Sequence, residues 1–218
     1  MRLRGDCLIA FPFKGLLFDL DGTLVNSLPA VDRAWRTWAT EYGLDPDYVA
    51  PRIHGKRAVD SIAALAPHAD QSEAFLRLEH LEANDTEGVV PMPGALDFIG
   101  LLEGIPWGIV TSGSSPIANP RLKAGGITAP KVFVTAEQIS KGKPDPEPFL
   151  EGARRLGLLP EEIVAFEDTL AGVRSAKSAG MKVVGLSDEA AQEADVQISD
   201  YGQLTLDTSS TPFLLSLK

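Results

Sequence analysis

The sequence predicts an α/β fold: an open, Rossmann-like, doubly wound parallel sheet with a small helical domain inserted after its first strand. Three observations carry that expectation. Short apolar runs alternate with helical patterns over most of the 218 residues, one segment breaks the alternation with helical periodicity alone, and 44% hydrophobic content is enough to bury a full core.

Apolar runs lie at 15–20, 107–110, 131–134, 163–166, 181–186 and 196–198. They are continuous rather than alternating, the pattern of strands covered on both faces. Helical stretches separate them at 94–102, 116–124, 147–156 and 170–179, several opened by proline and closed by glycine. Strand and helix in alternation give a parallel sheet with helices on its faces. The interruption is 28–90. There Leu28, Val31, Trp35, Trp38 and Tyr42 recur at helical spacing, so both tryptophans read as packing residues rather than a stacking platform. Phe75, Leu78, Leu81 and Glu82 mark a second helix, and Pro91-Met92-Pro93-Gly94 punctuates the return to the α/β pattern. The expected division is a catalytic core of 1–27 and 91–218 and a helical cap of 28–90. Residues 1–13 read as an extension or an added edge segment, their apolar stretch being too short for a secretory leader.

A net charge of -10 repels nucleic acid and anionic membranes, so any anionic ligand has to be drawn by a local site. The single cysteine, Cys7, allows neither a disulfide framework nor a thiolate metal site and fits a reducing cytoplasm. No run approaches the roughly 20 apolar residues of a membrane span. A cytoplasmic monomer with no nucleic-acid or membrane partner is expected.

Phe18-Asp19-Leu20-Asp21-Gly22-Thr23 follows an apolar run and so sets two carboxylates at the C-terminal end of a strand, the edge where open α/β sheets bind ligands. Asp19 and the Asp21 carbonyl offer hard oxygen ligands to a divalent cation, and Gly22 permits a sharp turn beside it. Thr111-Ser112-Gly113-Ser114 ends another run, where hydroxyls and amides could hold phosphate oxygens; taken alone, such a stretch is more often only a helix cap. Lys143, between Gly142 and Pro144, could neutralise phosphate charge or simply be solvated. Glu167-Asp168 ends a further strand, and carboxylates there are costly unless a cation or lysine balances them, which points to Asp168 as a metal ligand.

The order Asp19/Asp21, Thr111, Lys143, Glu167-Asp168 resembles the four motifs of the haloacid dehalogenase-like hydrolases, and the helical insertion is similar to the small cap of the phosphoglycolate phosphatase and β-phosphoglucomutase branches. His54-Gly55-Lys56-Arg57, Asp60-Ser61-Ile62 and Arg77-Leu78-Glu79 add a likeness to bacterial sugar phosphatases and to the yeast glycerol-3-phosphatase and 2-deoxyglucose-6-phosphatase group. The resemblance implies a magnesium-dependent phosphatase working through an aspartyl-phosphate. In it Asp19 attacks phosphorus and Asp21 protonates the leaving oxygen and later activates water. Thr111, Ser112, Gly113 and Lys143 hold phosphate, Asp19, Asp21 and Asp168 hold magnesium, and Glu167 supports from behind. Two departures stand out: Asn26 replaces a frequent aspartate, and Pro120, early in the helix after the second motif, is expected to kink it.

Two other readings compete with hydrolysis. A sugar phosphomutase shares the architecture, but Gly22-Thr23 after Asp21 matches the hydrolytic relatives. A noncatalytic sugar-phosphate binding module would not need both Asp19 and Asp21. Within the inserted segment, His54, Gly55, Lys56 and Arg57 are candidate substrate contacts, Arg57 first among them because its planar fork bonds two oxygens. Hexose or shorter polyol phosphates are the expected substrates.

Overall fold

A computed structural model describes residues 10–218; Cys7 and positions 1–9 of the expected N-terminal extension lie outside the described residues. The chain begins with β1 (Ala10–Phe13), β2 (Gly15–Phe18) and β3 (Val25–Asn26). Four helical pieces follow: α1 (Leu28–Glu41), the single turn α2 (Pro46–Val49), α3 (Ala58–Leu65) and α4 (Gln71–Asn84). Then come β4 (Val90–Pro91), α5 (Ala95–Gly100), β5 (Trp107–Val110), α6 (Ser115–Ala124), β6 (Val132–Val134) and α7 (Glu147–Leu156). The chain closes through β7 (Ile163–Glu167), α8 (Leu170–Ala179), β8 (Lys182–Gly185), β9 (Val196–Gln197), β10 (Leu204–Asp207) and β11 (Phe213–Leu217).

All six expected strands join one parallel sheet in the order β6-β5-β2-β7-β8-β9. Because side chains alternate across a strand, Leu17 and Phe18 of β2 enter opposite cores. Phe18 stacks on Phe166 at 4.6 Å and packs with Phe98 of α5 and with Tyr201, while Leu17 meets Phe149 of α7 and Val173 of α8. Helices on both faces make the sheet doubly wound. The small residue at 152 is part of this packing, since a Cβ there would strike Leu17 and Val110. Helix α6 continues through Pro120.

The inserted helices build their own apolar core from Val31, Trp35, Trp38, Ile62, Ala74 and Leu78. Trp38 is fully buried, stacks on Tyr42 at 4.8 Å, and donates its indole N–H to the Ala74 carbonyl at 3.0 Å. The two ends of the insertion are pinned side by side. There β3 and β4 pair antiparallel, Val25 opposite Pro91, and the Met92 N–H bonds the Leu24 carbonyl. That short ribbon joins residues 25–26 to 90–91. A second small sheet, β1-β11-β10, is antiparallel and lies outside the alternating pattern, so the described part of the N-terminal extension is an edge strand of its own sheet rather than of the main one.

Candidate active site

The three central strands, β5, β2 and β7, end side by side and deliver Thr111, Asp19 and Asp168 to one edge. Asp19 is held there by its own N–H, which bonds the Phe166 carbonyl at 2.9 Å. The chain then turns at Gly22, whose φ of +83° suits glycine and whose missing Cβ leaves room for the Asp168 carboxylate. Lys143 arrives from the loop between β6 and α7. Its ammonium lies 2.5 Å from Asp19 Oδ1, 2.5 Å from Glu167 Oε1 and 3.1 Å from the Val110 carbonyl, with the side chain 1% exposed.

Oxygens of Asp19, Glu167 and Asp168 lie within 4.8 Å of one another, all buried. Burial raises the Asp19 carboxyl; Lys143 opposes this, Glu167 and Asp21 reinforce it, and the outcome is about 8. Burial and the charge of Asp19 likewise hold the Asp168 carboxyl well above its ordinary range. For Lys143, burial works against the charge, but Asp19 and Glu167 outweigh it and raise its affinity for the proton. Three carboxylates against one ammonium leave an excess of buried negative charge, and hard oxygen donors in that arrangement can hold a divalent cation. Glu167 has little left to offer such an ion. Its Oε1 accepts from Lys143, and its Oε2 accepts from the amides of Asp168 and Thr169 and the Thr169 hydroxyl. Asp19 and Asp168 are the carboxylates with capacity to spare.

The Asp21 side chain stands apart from this cluster. Its Oδ1 accepts from Ser27 Oγ at 2.5 Å and pairs with the Arg121 guanidinium, whose Nη1 is 2.9 Å away. Beside it, Thr111 Oγ1 accepts the Gly113 N–H at 3.0 Å, which tightens the loop before α6. Ser112 Oγ donates to the Gly55 carbonyl and Ser114 Oγ to Glu79, so two residues of this loop face the inserted helices.

A cavity of about 240 Å³ opens over Asp19, Asp21, Thr111 and Asp168. Its roof is the inserted segment, including Val31, Trp35 and Phe75. Trp35 therefore packs the helical core and also walls the cavity. His54, Gly55, Lys56 and Arg57 all line it. Gly55 has φ +72°, and a Cβ there would meet Thr169. The Arg57 guanidinium is engaged: it pairs with Asp60 at 2.7 Å and donates to the Ile139 carbonyl at 3.1 Å.

Sequence reading did not single out Arg121. It bridges Asp21 and the buried Glu82 of α4, with Nη2 at 2.6 Å from Glu82 Oε2. The available signal was Glu82 itself, a charged residue within an apolar stripe, which requires a buried partner.

The family model described as haloacid dehalogenase-like hydrolase matches residues 13–180. The chain is 48% identical over 202 residues to "Hexitol phosphatase A" of Escherichia coli, covering 88% of this chain and 94% of that one. It is 35% identical over 191 residues to "Glycerol-1-phosphate phosphohydrolase 2" of Saccharomyces cerevisiae, covering 82% and 76%. Among solved structures, a hydrolase from Pseudomonas syringae superposes with a TM-score of 0.77 at 27% identity, over 86% of this chain and 94% of that one. The chain belongs to the haloacid dehalogenase-like hydrolases.

Proposed function

We propose that this protein is a magnesium-dependent phosphatase of small sugar or polyol phosphates, hexitol phosphates first among them, and that residues 28–90 are its cap. The observation that carries the reading is the buried cluster of Asp19, Asp168, Glu167 and Lys143 at the sheet edge, with a second aspartate, Asp21, beside it and outside the cluster. Phosphatase relatives of high identity support the same substrate class.

Asp19 and Asp168, with the Asp21 carbonyl, would hold magnesium, whose charge neutralises the phosphate oxygens and orients the ester. Lys143 keeps Asp19 in place and adds a fixed positive charge at the transferring phosphoryl group. Thr111, Ser112 and Gly113 hold its remaining oxygens. An Asp19 oxygen attacks phosphorus and forms a P–O bond as the ester P–O bond breaks, and Asp21 gives its proton to the departing alkoxide. Asp21 then takes a proton from water as that water attacks phosphorus and releases Asp19 and inorganic phosphate. Splitting one slow displacement into two is what makes an unreactive alkyl phosphate accessible. The 54–57 loop faces the leaving group from above, and closure of the cap holds the ester in place over Asp19 and Asp21.

The test is phosphate release from a hexitol phosphate with magnesium, with and without excess chelator. Release should require the metal, and calcium should replace it poorly because calcium favours more ligands at longer distances. Full activity in excess chelator would overturn the metal-dependent mechanism.

A further inference from the structure

We propose that Arg121 is a positioning residue for Asp21, and that Glu82 makes its hold depend on the cap being closed. The inference rests on the phosphatase reading above and adds to it a residue pair that links the cap to proton transfer.

Asp21 has its two carboxylate oxygens in different surroundings. Oδ1 accepts from Ser27 Oγ and forms an ion pair with Arg121, whose Nη1 lies 2.9 Å away. Oδ2 has no protein partner among the described residues and points towards Gly113, lying 4.0 Å from where a Cβ at that position would sit. A hydrogen bond and an ion pair on one oxygen fix the rotation of the carboxylate and leave the other oxygen facing the phosphate loop, where a leaving group would need its proton. An acid that must deliver a proton within one hydrogen-bond length gains from being held in a single orientation.

Arg121 comes from α6 in the core, with its side chain 3% exposed. Its second carboxylate partner, Glu82, comes from α4 in the cap and is itself 7% exposed. One buried guanidinium shared between two carboxylates ties the position of Asp21 to that of Glu82, and removal of Arg121 leaves Glu82 as an uncompensated buried charge. The Arg121 Nε has no hydrogen-bond partner. The fork is thus aimed at the two carboxylates at the expense of its third donor site, an arrangement that favours orientation over full satisfaction. Glu79, one turn earlier on α4, accepts from Ser114 at the start of α6, so the same two helices meet at a second polar contact. Opening the cap withdraws Glu82 and exposes Arg121 to water, which loosens the clamp on Asp21. Closure restores it, and proton transfer is then timed to the closed state.

The test compares kcat/KM, which reports steps up to loss of the leaving group, for a hexitol phosphate and for nitrophenyl phosphate, whose phenolate leaves without a proton. Arg121→Gln should lose about 30-fold or more on the hexitol ester but no more than about threefold on the aryl ester, in keeping with the scale of general acid catalysis. Glu82→Gln should show the same selectivity at smaller size. The double variant Glu82→Gln/Arg121→Gln removes both buried charges; it should recover the melting temperature without recovering hexitol phosphate turnover. Equal losses on the two esters, or a double variant that regains the alkyl activity, would show that Arg121 only neutralises Glu82 and would overturn the proposal. Wild-type protein that releases phosphate from neither ester would remove the phosphatase reading and this inference together.

Discussion

Lys143 is the one cation among three buried carboxylates, so its removal tests how the site is balanced. Lys143→Ala should cost roughly 3 kcal/mol or more of transition-state stabilisation, read as a fall in kcat/KM of about two orders of magnitude. A loss below tenfold would mean that the ammonium serves only to stabilise the fold. The same crowding sets a pH dependence. Asp19 holds its proton up to about pH 8 without metal, against 3.8 ordinarily, so the folded state binds more protons than the unfolded one between these values. Its contribution to stability therefore falls as pH rises through that window. Magnesium needs the ionised carboxylates, so it should raise the melting temperature more at pH 8 than at pH 6. A gain that is equal at both, or larger at pH 6, would contradict this electrostatic account. Asp19, Thr111, Lys143 and Asp168 were legible because each sits where an apolar run ends or a proline fixes a turn. Arg121 was not, because its contact with Asp21 exists only once α6 has packed beside the sheet, and Ser27 was not, because it reaches Asp21 only through the fold of the loop before α1.

At the scale of elements, the strands of the main sheet could be read because burial on both faces leaves an uninterrupted apolar run. The β3/β4 ribbon has only two residues in each strand, too few to show a period, and β10 and β11 are half-exposed pieces with broken patterns. Pro120 costs α6 a hydrogen bond, while packing of Ala118 and Leu122 in the core beside the sheet carries the helix past it. The join of β7 to α8 gives a sharp test. A methyl group at Gly172 would fall on the Glu167 carboxylate, which is fully buried and committed to Lys143 and two amides. Gly172→Ala would ordinarily gain up to about 1 kcal/mol from helix propensity. Here it should lower both the urea midpoint and phosphate release, the latter by about tenfold or more through displacement of Lys143. A variant both more stable and fully active would show that Glu167 does not position the lysine.

For the whole molecule, the architecture sets the sheet edge that carries Asp19, Thr111 and Asp168 beneath a roof of inserted helices. Two strands are pinned at the base of the insertion, and Arg57, tied to Asp60 and to the Ile139 carbonyl, spans from roof to core. Arg57→Ala should reduce kcat/KM for hexitol phosphate by at least about tenfold while sparing a small aryl phosphate that needs no contact with the roof. Equal losses would place Arg57 at the phosphate, and no loss would remove the loop from substrate choice. Among the described residues, no helix is long and apolar enough to cross a membrane. The insertion was legible as helices from the spacing of its tryptophans, but its closed contact with the core was not, since Gly55 with Ser112 and Glu79 with Ser114 are far apart in sequence. The central claim is that Asp19 is the nucleophile, and the most direct measurement is magnesium-dependent turnover of a hexitol phosphate by Asp19→Asn beside wild type. The account predicts a fall of about a thousandfold or more with the fold intact by circular dichroism, because an amide of nearly the same volume cannot attack phosphorus. Turnover within tenfold of wild type would contradict it.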